Sequence, residues 1–197
     1  MADIKAADVA KLRKMTGAGM LDCKNALKET GGDFEQAIDI LRKKGQKIAD
    51  KRAEREATEG AVIAITNEEN SKGALIVLNC ETDFVAKNED FVKFAYSIAQ
   101  VALDNMPADL EALKALPLEG KTIGEEVLNQ TGVIGEKIDL SFYGKEESPY
   151  VIPYIHPGNK LATLVSLSKK DIENQIAKDV AMQVAAMSPV SVDKDNV

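Results

Sequence analysis

Apolar residues recur at two different periods along the chain, and the change of period divides it. The first 45 residues read as three short helices. Val9 and Leu12 mark the first, which ends at Thr16-Gly17-Ala18-Gly19. Met20, Cys23, Leu27 and Thr30 mark the second, closed by Gly31-Gly32. Asp33 is placed to cap the third, and Gln36 completes a capping-box-like pair. The third helix's apolar face is Phe34, Ala37, Ile38 and Leu41, and Gly45 stands where it should stop. Three helices of this size make a compact but marginal bundle. Gln46 to Thr58 is dense in charge and alanine and reads as a solvated connecting helix.

From Gly60 the spacing changes. Ala61 to Ile65 and Ala74 to Leu78 are β-rich runs separated by polar residues, the pattern of a hairpin. Asp90 to Asp104 follows as an amphipathic helix with Phe91, Phe94, Ala95, Ile98 and Val101 or Ala102 facing a core. Pro107 to Pro117 reads as a connector with a turn or two of helix. Thr122 to Gln130 reads as a helix followed by Thr131-Gly132. Strands are expected at Ile138 to Tyr143, Tyr150 to Ile155 and Leu161 to Leu167, with Pro153 confining the middle one to an edge or bulge. Asp171 to Met187 closes the chain as a helix.

A weak internal repeat runs through this second part. Gly73-Ala74-Leu75-Ile76-Val77-Leu78 leads to a helix ending in Ile98 to Leu103, then Met106-Pro107. Lys160-Leu161-Ala162-Thr163-Leu164-Val165 leads to one ending in Ala181 to Ala186, then Ser188-Pro189. Gly73 and Gln100 are 27 positions apart, whereas Lys160 and Gln183 are 23 apart. The four extra residues fall in the loop Asn79 to Asn88, and an insertion in one copy's loop is a natural place for function.

Composition narrows the chemistry. With a single histidine, His156, and two cysteines, Cys23 and Cys80, a multi-His metal site and a CxxC pair are excluded. Two cysteines build no disulfide framework, which fits a reducing cytoplasm. The start, Met1-Ala2-Asp3-Ile4-Lys5, lacks the apolar region of a secretion signal. No run approaches the ~20 apolar residues of a bilayer span. Residues 1–58 carry 13 Lys or Arg against 10 Asp or Glu, whereas residues 59–197 carry 12 against 22. The acidic body argues against phosphate-backbone binding, hence against a direct nucleic-acid partner.

Several constellations compete as sites. Gly120-Lys121-Thr122 resembles the end of a phosphate-binding loop, but that motif needs a glycine at 115, where Ala115 stands. Cys80, Asp83 and His156 could supply a nucleophile, an orienter and a base, although Cys80 ends an apolar strand, where a small buried residue is ordinary. Thr82-Asp83-Phe84-Val85, in the inserted loop, sets an aromatic ring beside a carboxylate. Phe84 either plugs the local core or stands out as a partner contact worth roughly 1.5–3 kcal/mol when buried, and the residues alone leave both open. The turn Thr16 to Leu21 poses the same question for Met20 and Leu21, and Ile155-His156-Pro157-Gly158 sits at a hairpin tip.

Taken together, the motifs resemble bacterial-type translation elongation factor Ts. The matching blocks are Leu12 to Lys24, Asn79 to Ala86, Ile134-Gly135-Glu136, the His156 turn and Ala181 to Ala186, in the family's order. The resemblance implies an α+β fold: an N-terminal three-helix bundle similar to ubiquitin-associated domains, then a core of two related α+β subdomains with antiparallel sheets. Residues 1–45 would form the bundle, 46–58 a charged helical linker, 59–137 the core N-subdomain and 138–197 the core C-subdomain. It implies a guanine-nucleotide exchange factor for elongation factor Tu, GDP-bound and nucleotide-free, with no cofactor, no metal and no chemistry of its own. By the same resemblance, Arg13, Met20 and Leu21 meet the partner's GTPase domain. Thr82, Asp83, Phe84 and Val85 form a wedge near its magnesium site, and Ile134, Gly135 and His156 disturb its phosphate loop. The family's common long form continues past residue 197. The resemblance therefore implies either a fragment or a short form whose second subdomain is completed by another copy, as a homodimer. The competing classes are a ubiquitin- or peptide-binding adaptor acting through the N-terminal bundle, and a Cys80/His156 enzyme.

Overall fold

A computed structural model of the chain describes residues 4–196. Met1 to Asp3, part of the stretch read for a leader, and Val197 lie outside the described residues. Three helices come first: α1 (Ala6–Thr16), α2 (Met20–Glu29) and α3 (Phe34–Arg52). Strands β1 (Glu59–Thr66) and β2 (Lys72–Cys80) precede α4 (Asp83–Ala86), α5 (Glu89–Asn105) and α6 (Leu110–Ala115). Then come β3 (Pro117–Leu118), β4 (Lys121–Thr122) and α7 (Ile123–Ile134). The chain continues with β5 (Asp139–Glu147), β6 (Tyr150–Ile155), β7 (Ala162–Leu167) and α8 (Asn174–Met187). The fold is α+β, with antiparallel sheets following an N-terminal helical region. By its internal contacts the chain forms two compact units. One comprises the chain up to Glu56 with Glu125–Ile138, and the other comprises Ala57–Gly124 with the chain from Asp139 onward.

In the first unit, Val9, Leu12, Cys23, Ala26, Leu27, Ala37 and Leu41 form the core. These are the apolar positions at helical spacing, with one correction: Met20 opens α2 outside the core. Asp33 caps α3 by accepting from the Gln36 amide at 3.0 Å, and the Gln36 side chain donates back to the same carboxylate. Gly45 does not end α3, and Gly132 does not end α7. Each lies inside its helix because the two backbones touch there: a Cβ built on Gly132 would stand 2.5 Å from Gly45 Cα. These glycines are crossing points between helices rather than stop signals. The stop of α7 is Gly135, at φ 81. Thr131, buried in α7, closes the following turn by accepting from the Ile138 amide at 3.0 Å.

The second unit is built twice from a hairpin and a helix. In the first copy β2 lies between β1 and β5, all antiparallel. Ala74, Ile76, Leu78 and Cys80 alternate into the interior, where Phe91, Ala95, Ile98, Ala99 and Ala102 of α5 are buried. In the second copy, among the described residues, β6 pairs with β7 alone, so Pro153 disrupts no central strand. Tyr150 and Ile152 pack there with Ala177 and Ala181 of α8. Both helices end alike. Met106 and Ser188, at φ 45 and 44, turn left-handed, each amide bonding back to the carbonyl four residues earlier, and a proline follows each. The repeat read from the sequence is thus a repeat of geometry. The copies join through the Val62 amide to the Asn159 carbonyl at 2.7 Å and the Val151 amide to the Asn70 carbonyl at 2.6 Å. Gly73 is a glycine because Leu164 and Val151 would stand within 2.8 Å of any Cβ there.

Candidate functional site

The two hairpin–helix copies differ in the loop that precedes the helix. Between β7 and α8 the chain crosses residues 168–173 without a helix, whereas between β2 and α5 it makes α4. Thr82, extended at φ −123, caps α4 by accepting from the Val85 amide. The buried Cys80 thiol donates to the Thr82 carbonyl at 3.2 Å. Ala86 is buried beneath the turn and Val85 is half-buried. The Asp83 carboxylate accepts from Lys87 Nζ at 2.7 Å, and that hydrogen bond and charge hold its pKa below the ordinary carboxylate value. Every neighbour of Phe84 is therefore anchored, while Phe84 itself is 83% exposed. The core-plug reading of this ring is excluded, and the ring stands on a seated loop.

His156 lies in the same unit, in the turn between β6 and β7. Its amide donates to the Leu161 carbonyl at 2.8 Å, and Gly158 and Asn159 complete the turn at φ 93 and 57. The ring is exposed, and its Nδ1 shares a hydrogen bond of 2.9 Å with the Tyr154 hydroxyl. The turn and the Phe84 loop are neighbours. Lys160, just past the turn, pairs with Glu59 at 2.8 Å, and its charge also reaches Asp83. Sequence reasoning missed Lys160, Glu59 and Tyr154. The two charges lie far apart in the chain, and no local pattern marks them as partners.

The first unit carries a separate set. Gly17, at φ 70, turns α1 back so that its amide bonds the Arg13 carbonyl. The Thr16 hydroxyl accepts from the Ala18 amide, and the Cys23 thiol donates to the Ala18 carbonyl. This knot presents Met20 at 45% and Leu21 at 69% exposure, with Met15 at 56% beside them in sequence order and Arg13 exposed. Met15 was not singled out from the sequence, although it follows Arg13 and Lys14 on an otherwise polar stretch. A Cβ on Gly17 would rest 3.4 Å from Val133, so the Val133 side chain, which precedes Ile134 and Gly135 in sequence, lies against this turn. Gly120, read beside the phosphate-loop motif, forms with Glu119 the two-residue turn joining β3 and β4, both at positive φ.

Comparison with known proteins gives the family. Residues 81–197 match the family described as elongation factor TS. Across its whole length the chain is 54% identical to the elongation factor Ts of Christiangramia forsetii, covering 72% of that protein. The chain belongs to the elongation factor Ts family. The elongation factor Ts of Flavobacterium psychrophilum is 52% identical over the whole chain, which again spans 72% of it. That of Porphyromonas gingivalis is 50% identical over 96% of the chain and 69% of its own length. The family match takes in Thr82 to Val85, Ile134, Gly135 and His156, and the alignments to the relatives extend to Arg13, Met20 and Leu21. Among the described residues no helix is long and apolar enough to cross a membrane.

Proposed function

We propose that this chain is a guanine-nucleotide exchange factor for elongation factor Tu. It wedges Phe84 near the partner's magnesium site and disturbs its phosphate loop, acting in the cytoplasm and without chemistry of its own. The observation that carries this reading is the exposed Phe84 ring on a loop whose other residues are tied down. Burying such a ring in a partner's pocket is worth about 1.5–3 kcal/mol. Membership of the elongation factor Ts family supports the choice of partner. Met20 and Leu21 give the first unit its own apolar contact for the partner, and Arg13 is exposed in the same unit.

The logic of such a factor is linkage. It must bind nucleotide-free partner more tightly than GDP-bound partner, and by reciprocity it then weakens GDP and Mg²⁺ by the same ratio. Phe84 contributes only if its pocket opens as the magnesium site distorts. Displacing a phosphate-binding loop removes backbone N–H donors from the nucleotide. The factor lowers a barrier in both directions, and mass action selects GTP over GDP.

Stopped-flow release of fluorescent GDP from purified elongation factor Tu tests this. The whole chain should accelerate release. Phe84→Ala should fold normally, because the ring touches little of its own protein, and should slow release by about 10- to 100-fold, the value of about 1.5–3 kcal/mol of buried ring. Release unchanged by Phe84→Ala in a folded protein excludes the wedge. The adaptor class makes that same prediction, so this measurement separates the two.

A further inference from the structure

We propose that Lys160 and Glu59 are a positioning pair that locks the Phe84 loop and the His156 turn into one arrangement for exchange. The proposal rests on the exchange reading above.

A continuous set of contacts runs from one to the other. Glu59 opens β1 and lies opposite Cys80, the last residue of β2. The Asn79 side chain donates to the Glu59 carbonyl at 3.1 Å, so the two strand ends are held together. Cys80 in turn holds the Thr82 carbonyl, and Thr82 caps α4 beneath Phe84. On the other side, Lys160 directly follows the turn that bears His156. Its Nζ reaches Glu59 Oε2 at 2.8 Å. The turn is also tied to β1 by the backbone hydrogen bond from the Val62 amide to the Asn159 carbonyl. Gly60 fits the same view. A Cβ there would stand 2.3 Å from the Leu78 carbonyl, so only glycine fits beside the acid at this strand end. Lys160 also sits near enough to Asp83 for its charge to favour that carboxylate, after the larger effect of Lys87.

The pair's position explains it better than stability does. Both side chains keep contact with solvent, and an ion pair in such a place adds little to folding. The strands and the turn are already formed by backbone bonds. What the pair adds is a fixed distance between Phe84 and His156, two surface groups 72 positions apart in the chain.

The test uses the full chain with elongation factor Tu and follows GDP release over a range of factor concentrations. The variants are Lys160→Glu, Glu59→Lys, their charge-swapped double and Lys160→Arg. Each single reversal should lower the maximal release rate about three- to fivefold, the scale of an exposed ion pair. The half-saturating concentration and the melting temperature should stay near wild type. The swapped double should recover to within about twofold, as should Lys160→Arg. Amide hydrogen exchange at Val85 to Lys87 in the free protein should quicken in the single reversals and return in the double. Wild-type rates in both reversals would overturn the proposal, as would a double no better than the worse single. The second result would mean that Lys160 or Glu59 touches the partner directly. Phe84→Ala run alongside keeps the two ideas apart. If wild type fails to accelerate release, the exchange reading falls and takes this proposal with it. If Phe84→Ala is slow and the reversals are not, the pair alone is wrong.

Discussion

Gly132→Ala and Gly45→Ala change the two sides of one helix crossing and should move stability in opposite directions. Alanine is favoured over glycine inside a helix by about 1 kcal/mol, so both substitutions start from the same gain. Their surroundings then differ. A Cβ on Gly45 meets Gly132 Cα at 3.6 Å, an ordinary contact that adds a little dispersion. A Cβ on Gly132 meets Gly45 Cα at 2.5 Å and its carbonyl carbon at 3.0 Å. Those are backbone atoms of another helix and cannot rotate away, so α7 must shift by about 1 Å to restore a normal carbon–carbon distance. Overpacking of this kind costs about 1–3 kcal/mol, and a rigid obstacle belongs at the upper end. The net expectation is a gain of up to about 1 kcal/mol for Gly45→Ala and a loss of about 1–2 kcal/mol for Gly132→Ala. Amide exchange resolved to α3 and α7 reads this better than a single melting curve, because a chain of two units need not unfold in one step. If both alanines stabilise, or both do nothing, the close crossing is not there. The shift should also disturb Ile134 and Gly135 at the end of α7, so GDP release by Gly132→Ala should fall even where the protein remains folded.

Two further outcomes follow from the surfaces and the core. Leu21→Ala removes an exposed side chain, so stability should change by less than about 0.5 kcal/mol, while affinity for elongation factor Tu, read by titration calorimetry, should drop about tenfold; an unchanged affinity would place this surface outside the interface. Burial pushes the Tyr143 hydroxyl up to about 12 from an ordinary value of 10.0. The unfolded chain then loses this proton first, so the contribution is intact below pH 10 and fades as pH climbs towards 12. Ultraviolet titration should find a late tyrosine ionisation, and Tyr143→Phe should abolish that step; its persistence would mean another ring is responsible.

What the sequence disclosed, and what it hid, follows the range of the forces involved. Helix faces, the Asp33 cap and the alternation of β2 are local, so spacing alone reveals them. The repeat was legible because Met106-Pro107 and Ser188-Pro189 keep the same left-handed exit in both copies. Gly45 and Gly132 misled because glycine serves two purposes that look alike in one dimension: ending a helix and letting two helices touch. Only the partner backbone tells them apart, and it comes from the far side of the chain. Phe84 was undecidable for a related reason. Exposure depends on whether the flanking residues find anchors, and those anchors include a thiol two residues before Thr82 and a lysine four residues after Asp83. The Lys160–Glu59 pair left no trace in sequence spacing at all.

The exposed residues share one construction, and that construction has an energetic reason. Phe84 stands on a turn fixed by a cap, a thiol hydrogen bond, an ion pair and a buried alanine. Met20 and Leu21 stand just past a turn fixed by the Thr16 hydroxyl, the Cys23 thiol and the left-handed Gly17. A flexible loop bearing the same side chains would have to lose about 0.5–1.5 kcal/mol of freedom per immobilised side chain on binding, and backbone ordering would add more. Loosening the seat of Phe84 should therefore weaken exchange without touching the ring. Thr82→Val keeps the shape of the side chain and removes the cap oxygen, a loss of about 1 kcal/mol at a helix start. It should slow GDP release about fivefold at unchanged Phe84 exposure, and Thr82→Ser should restore most of it. If Thr82→Val exchanges as fast as wild type, the rigidity of the loop is incidental and the ring acts alone.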